Sequence, residues 1–132
     1  MAIVVGYVPT PEGAAAIDFA IEEARRRQTR MIVLNTSTGD SLVDRRYAGD
    51  SDWHALQERL NAAGVEHELS QSVSAGRDAS DALIDIAQQV GADLIVIGVR
   101  RRSPVGKLIM GSQAQRILLE ADCPVVAVKA AR

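Results

Sequence analysis

Short apolar runs that alternate with helix-length segments most constrain the fold of this 132-residue chain. Most of the runs are rich in Val, Ile and Leu, which is typical of strands buried on both faces of a sheet. The predicted strands are Ile3–Tyr7, Met31–Thr36, Val65–Val73, Leu94–Ile97 and Pro124–Lys129. The predicted helices are Glu12–Gln28, Trp53–Ala63, a helix that Asp78 or Ser80 caps and that runs through Gln89, and Gln113–Ala121. Thr10 is expected to cap the first helix, and Gly64 and Gly91 are expected to end the second and the third. Because helical crossovers join parallel strands in a right-handed sense, the sequence predicts an α/β fold with a doubly wound parallel sheet and helices on both faces.

Size and composition narrow the class of protein. The length suits a single domain over residues 1–132. The formal net charge of −2 argues against a nucleic-acid partner. The one cysteine, Cys123, has no partner for an internal disulfide, which fits a reducing compartment. No apolar run approaches the length of a membrane span or a signal peptide, so we expect a cytoplasmic protein with no membrane partner.

Two loops form the candidate ligand site. Doubly wound sheets bind ligands beyond the carboxyl ends of their strands, where the strand order reverses. If the first and fourth strands are central neighbours, that point lies between Val8–Gly13 and Gly98–Ser112. Gly98 is expected to end the fourth strand, and Gly111 and Ser112 precede the last helix, whose N-terminus favours an anion. The alternative is that these residues are only a strand end and a helix cap.

The remaining candidate groups give weaker signals. Of the three arginines Arg100–Arg102, Arg101 is expected to point into the site and the others toward solvent or a partner, although a solvated basic turn is the commoner outcome. His54 and His67 have no partner at metal-ligand spacing, so no metal site is expected there. A polar loop is predicted over Ser37–Asp52. Its acids are either solvated or hold a magnesium ion beside a triphosphate, and they are Asp40, Asp44, Asp50 and Asp52. No catalytic constellation stands out.

Three segments carry a resemblance to a known family. GADLIVIG before the long loop, GS before the last helix and ADCPVVAVK at the end are similar to segments of the universal stress protein family, and the likeness covers essentially the whole chain. The resemblance implies a five-stranded parallel sheet in the order 3-2-1-4-5 and a homodimer paired through the last strand, here Val125–Val128. It also implies the ATP-binding motif Gly-x2-Gly-x9-Gly-Ser/Thr of one branch.

This sequence departs from that motif at two places. Gly98 and Gly111-Ser112 match its ends, but Arg101 stands at the second glycine. Val8 stands where the family carries an Asp that contacts adenine. Arg101 would either add a cation that binds phosphate in a bidentate manner or block the site.

The resemblance implies a stress-response regulatory protein that binds ATP or another adenine nucleotide. The base would lie near the ends of the first two strands and the phosphates on the long loop. The predicted nucleotide-binding residues are Val8, Pro9, Thr10, Asn35, Thr36, Gly98, Arg101, Gly111, Ser112 and Gln113. One alternative is a slow ATPase or phosphotransferase that uses a loop acid such as Asp44. The other is a dimer that binds unknown protein partners and keeps a vestigial nucleotide pocket, which Val8 and Arg101 would indicate.

Overall fold

A computed structural model describes residues 2–37, 50–73, 79–99 and 112–130. Strands and helices alternate along the chain in the predicted order. The elements are β1 (Ala2–Gly6), α1 (Pro11–Arg27), β2 (Arg30–Ser37), α2 (Asp50–Ala63), β3 (His67–Val73), α3 (Ala79–Val90), β4 (Leu94–Val99), α4 (Ser112–Glu120) and β5 (Val125–Lys129).

The sheet is parallel, and its strand order is β3-β2-β1-β4-β5. Ile3 of β1 is in register with Met31 of β2 on one side and with Leu94 of β4 on the other. Strand order therefore reverses at β1, and the carboxyl ends of β1 and β4 lie next to each other in the sheet. The structure confirms the predicted fold class and strand order.

Each face of the sheet carries its own hydrophobic core. Side chains alternate along β1, so Ile3 and Val5 belong to one core while Ala2 and Val4 belong to the other. The first core is completed by α1 and α2, and Trp53 packs against it while remaining partly exposed. The second core is completed by α3 and α4. Within the described residues, no helix has the length and apolar character needed to cross a membrane.

Helix ends follow the sequence signals. The Thr10 side chain caps α1 by accepting a hydrogen bond of 3.1 Å from the Gly13 N–H. Gln28 closes the same helix in the left-handed conformation, with a φ of 52°. Gly64 and Gly91 follow α2 and α3 with φ angles of 72° and 63°, a region that glycine adopts without steric cost. The predicted cap at Thr10 and the glycine stops at Gly64 and Gly91 are confirmed.

Some predicted boundaries are wrong by a few residues. The predicted loop over Ser37–Asp52 is too long, because β2 extends to Ser37 and α2 already begins at Asp50. Acidic residues suit the first turn of a helix, where they face the positive end of its dipole, so a polar segment can open a helix as well as form a loop. The third strand begins at His67 and not at Val65.

Strand β5 lies at one edge of the sheet, next to β4. Its residues Val125–Val128 are half-buried and Lys129 is exposed. An edge strand presents backbone groups that can pair with another chain. The homodimer through Val125–Val128 stays a prediction.

Candidate nucleotide site

Hydrogen bonds from β2 hold the loop between β1 and α1 in place. The Tyr7 N–H donates to the Leu34 carbonyl at 3.0 Å. The Asn35 side chain, which is only 1% exposed, donates from Nδ2 to the Tyr7 carbonyl at 2.8 Å. A further bond of 2.8 Å joins the Thr10 N–H to the Val8 carbonyl within the loop. The resemblance to the family predicts that Asn35 contacts the nucleotide, whereas in this structure its amide positions the loop that borders the site.

Close backbone contacts at two glycines pack β4 and the first loop against the first turn of α1. The prediction that Gly98 ends the fourth strand is wrong, because β4 continues to Val99. A Cβ atom at Gly98 would lie 2.3 Å from the Glu12 carbonyl oxygen, and one at Gly13 would lie 1.8 Å from the Val8 carbonyl oxygen. Both distances are far below van der Waals contact. Glycine at these two positions therefore lets the strand, the loop and the first turn of α1 pack backbone against backbone.

A cavity of about 120 Å³ opens where these elements meet. Most of its walls are apolar side chains from the strand ends and from α3 and α4. Gln113 and Ala114 contribute the first turn of α4, where the backbone N–H groups have no partner within the helix. The lining residues are Gly6, Tyr7, Val8, Leu34, Ser80, Leu83, Ile97, Gly98, Gln113, Ala114 and Ile117. The cavity thus combines apolar walls with a helix N-terminus, which attracts anions.

Ser80 is the polar side chain that α3 adds to the cavity wall. It is the second residue of the helix, 0% exposed, and its hydroxyl oxygen has no hydrogen-bond partner within residues 2–37, 50–73, 79–99 and 112–130. The prediction that Ser80 caps this helix is therefore wrong. Asp78, the other predicted cap, lies outside the described residues.

The structure brings together part of the predicted site. Val8, Gly98 and Gln113 line the cavity. Pro9 and Thr10 come next along the first loop but are not part of the cavity wall. Thr36 belongs to β2 and Ser112 opens α4. Arg101 and Gly111 lie outside the described residues, as do Arg100 and Arg102.

Sequence reasoning missed most of the apolar wall. Leu34, Leu83, Ile97 and Ile117 look like ordinary core residues in the sequence, and they are indeed buried. Position could have found Leu34 and Ile97, because residues toward the carboxyl ends of β2 and β4 border the point of strand reversal. Leu83 and Ile117 lie on α3 and α4, and no signal in the sequence points to them. For Ser80, a serine among apolar helix positions was the only signal.

A second cavity of about 240 Å³ lies on the other face of the sheet, between α1 and α2. Tyr7, Leu56 and Asp52 are among its lining residues. Burial raises the pKa of the Tyr7 hydroxyl, and the charge of Asp52 raises it further. On the same wall Arg59 forms an ion pair with Asp18.

The described residues contain no group of three or more His, Cys, Asp or Glu side chains that could hold a metal ion. Of the loop acids considered for magnesium, Asp52 faces the second cavity, and Asp40 and Asp44 lie outside the described residues. A magnesium ion beside a triphosphate stays a prediction. His54 pairs with Glu58, and the imidazole of His67 contacts the Val65 carbonyl.

Cys123 is half-buried beside the second core. Burial raises the pKa of its thiol, and the neighbouring carboxylates of Asp122 and Asp93 raise it further. A raised pKa keeps the thiol protonated and weakens it as a nucleophile, so Cys123 serves here as a packing residue of the second core.

Comparison with known proteins defines the family. The sequence model of the universal stress protein family matches residues 1–129. The chain belongs to this family. It is 47% identical over 127 residues to a universal stress protein of Mycolicibacterium smegmatis, with 96% of each chain covered. A solved universal stress protein structure from Archaeoglobus fulgidus is 35% identical, with a TM-score of 0.72 and 98% of each chain covered. Another Archaeoglobus fulgidus structure, solved in complex with dAMP, is 30% identical, with a TM-score of 0.64 and 98% of each chain covered.

Proposed function

We propose that this protein binds an adenine nucleotide in the cavity between the ends of β1 and β4, as a regulatory module of a stress response. The observation that carries the proposal is the place of the cavity. It lies where the strand order reverses, with apolar walls and the N-terminus of α4 on one continuous surface. Nucleotides present the complementary chemistry, since they join an apolar aromatic base to anionic phosphate.

The apolar walls suit the base. Leu34, Leu83 and Ile97 offer side chains against which the flat faces of a purine can pack. The phosphate then extends toward Gln113, where the first-turn N–H groups of α4 favour negative charge. The Archaeoglobus fulgidus relative solved with dAMP supports adenine as the base.

A regulatory role follows from what a bound nucleotide can do in such a cavity. The walls come from β1, β2, β4, α3 and α4, so a nucleotide contacts most elements of the fold at once. A ligand shifts a protein between conformations or partners only through contacts that differ between those states. We therefore expect occupancy of the cavity, and not turnover, to carry the signal.

The hypothesis of a slow ATPase or phosphotransferase has less support. Hydrolysis needs a positioned base near the terminal phosphate. The proposed base, Asp44, lies outside the described residues, and Asp52 lies at the cavity on the opposite face of the sheet. Hydrolysis stays a prediction that phosphate release by wild type and Asp44→Ala would test.

Calorimetric titration with AMP, ATP and inorganic phosphate tests the proposal. We expect heat of binding with AMP and ATP. The weak end of specific affinities lies at about millimolar ligand. If none of the three ligands gives heat of binding at that concentration, the proposal of nucleotide binding is wrong, and the hypothesis of a partner-binding protein with a vestigial pocket is left.

A matched pair of variants locates the binding site. Ala114→Leu adds a larger side chain to the cavity wall, whereas Ala62→Leu adds the same side chain at an exposed position of α2. Both substitutions keep a good helix former. We expect Ala114→Leu to weaken AMP binding about tenfold or more, because it competes with the ligand for volume. Ala62→Leu should bind as wild type does, and equal affinities for the two variants would place the nucleotide elsewhere.

A further inference from the structure

The hydroxyl of Ser80 is a buried polar group without a partner. Its side chain is fully buried, and no hydrogen bond to its oxygen exists among the described residues. Buried hydroxyls almost always have a partner, since an unpaired one loses its bonds to water without compensation. The protein therefore retains at this position a buried hydroxyl that is free to bond a group entering the cavity.

The nucleotide cavity is where that partner can come from. Ser80 forms part of the cavity wall, together with the apolar side chains of Leu83 and Ile97 and with Val8 of the first loop. Val8 offers no polar side chain to a ligand, so polar recognition in this apolar region depends on another residue. A serine side chain turns about one bond between three staggered positions, so a polar group in the cavity can draw the hydroxyl toward itself.

We infer that Ser80 is a specificity-determining residue that hydrogen-bonds the edge of the purine base. The inference rests on the proposed nucleotide site and adds the side chain that recognises the base there. A serine hydroxyl both donates and accepts, which matches the mixture of ring nitrogens and amino group along the edge of adenine. Base recognition in this chain thus comes from α3 and not from the side chain of Val8 in the first loop.

Two serine-to-alanine variants test the inference. Ser80→Ala removes the hydroxyl from the second residue of α3, and Ser51→Ala makes the same change at the exposed second residue of α2. In titrations with AMP, we expect Ser80→Ala to raise Kd about fivefold, the usual effect of one neutral hydrogen bond. Such a change corresponds to about 1 kcal/mol. Ser51→Ala should leave Kd unchanged.

Thermal unfolding without ligand gives an independent readout. If the Ser80 hydroxyl has no partner in the free protein, Ser80→Ala should unfold at the same temperature as Ser51→Ala or at a higher one. A lower unfolding temperature for Ser80→Ala than for Ser51→Ala would mean that the hydroxyl has a structural partner in the protein, and would overturn the inference.

The outcomes separate the inference from the proposed function. If wild type does not bind AMP, both are overturned. If wild type binds AMP and Ser80→Ala binds it equally well, the proposal of a nucleotide site is retained and the proposed role of Ser80 is wrong. A crystal structure of the wild-type protein with AMP decides which part of the ligand is contacted. A base atom within hydrogen-bond distance of the Ser80 oxygen supports the inference, whereas ribose, phosphate or water alone at that oxygen overturns it.

Discussion

Replacing Gly98 with alanine tests the contact between β4 and the first turn of α1. The added Cβ atom would lie 2.3 Å from the Glu12 carbonyl oxygen, 2.6 Å from its carbon and 3.1 Å from the Gly13 nitrogen. These are backbone atoms, so no side-chain rotation relieves the clash. Because ordinary contact begins near 3.4 Å, the strand and the helix must separate by about 1 Å. Because β4 contributes side chains to both hydrophobic cores, such a shift would disturb the packing of both.

The magnitude follows from two opposing effects. Overpacking of this kind lowers the free energy of unfolding by about 1–3 kcal/mol. Alanine has less conformational freedom than glycine in the unfolded chain, which raises the free energy of unfolding by about 0.4–1 kcal/mol. We expect Gly98→Ala to lower the free energy of unfolding by about 2 kcal/mol, measured by urea denaturation and circular dichroism. Gly6→Ala is the control, because its Cβ would meet only side-chain atoms, the nearest being Leu83 Cδ2 at 3.2 Å.

The control should change the free energy of unfolding by less than about 1 kcal/mol, since a leucine methyl group can move by the few tenths of an ångström required. If Gly98→Ala and Gly6→Ala have the same stability within error, the close backbone contact is not present in solution and the reasoning fails. A confirmed difference would show that Gly98 must be glycine for packing, whether or not it also contacts a ligand.

Two further predictions concern a buried amide and a carboxylate. Asn35→Ala removes the 2.8 Å hydrogen bond to the Tyr7 carbonyl, so we expect a loss of about 1–3 kcal/mol in urea denaturation, together with weaker AMP binding as the loop loosens. Glu23 accepts hydrogen bonds from Arg26 and Arg27, and the bond from Arg26 contributes most to holding the pKa of Glu23 below its usual range. The resulting stability is present at neutral pH and is lost as pH falls through that lowered pKa, so Glu23→Gln should flatten the acid side of the curve of unfolding temperature against pH.

Each of these changes has a matched control. Asn61→Ala alters an exposed asparagine of α2 and should cost far less than Asn35→Ala. Equal losses would mean that the amide of Asn35 does not hold the loop. Glu22→Gln alters the neighbouring carboxylate, which is mostly exposed beside Arg25. A Glu23→Gln variant whose acid transition matches both wild type and Glu22→Gln would contradict the role of the Arg26 and Arg27 pairs.

Most of the fold could be predicted from the sequence because its signals are local. Apolar runs marked the strands, and Gly64 and Gly91 marked helix ends through the backbone conformation that they favour. The start of α2 was missed because the polar residues at Asp50 and Asp52 are compatible with both a loop and a first helical turn. The strand order came from the resemblance to the family and not from periodicity, since pairing between β1 and β4 joins residues distant in the chain.

The candidate site was harder to predict, because its determinants are tertiary. Gly98 was interpreted as a strand end, yet the reason for glycine there is the Glu12 carbonyl, which approaches from another element. Ser80 was interpreted as a helix cap, because a serine near a helix start usually is one. Only the packing of α3 against the strand ends shows that its hydroxyl lies at a cavity and has no partner in the part of the chain that the structure describes.

The position of Trp53 makes its fluorescence a probe of one face of the sheet. It is the one tryptophan of the chain, and it packs against the core formed by α1 and α2. The nucleotide cavity opens on the opposite face, among residues of α3 and α4. The fluorescence of Trp53 will therefore report unfolding of the core formed by α1 and α2. Binding of AMP in the nucleotide cavity is expected to leave that fluorescence nearly constant. A change in that emission on adding AMP would be direct evidence that occupancy on one face of the sheet is transmitted to the other.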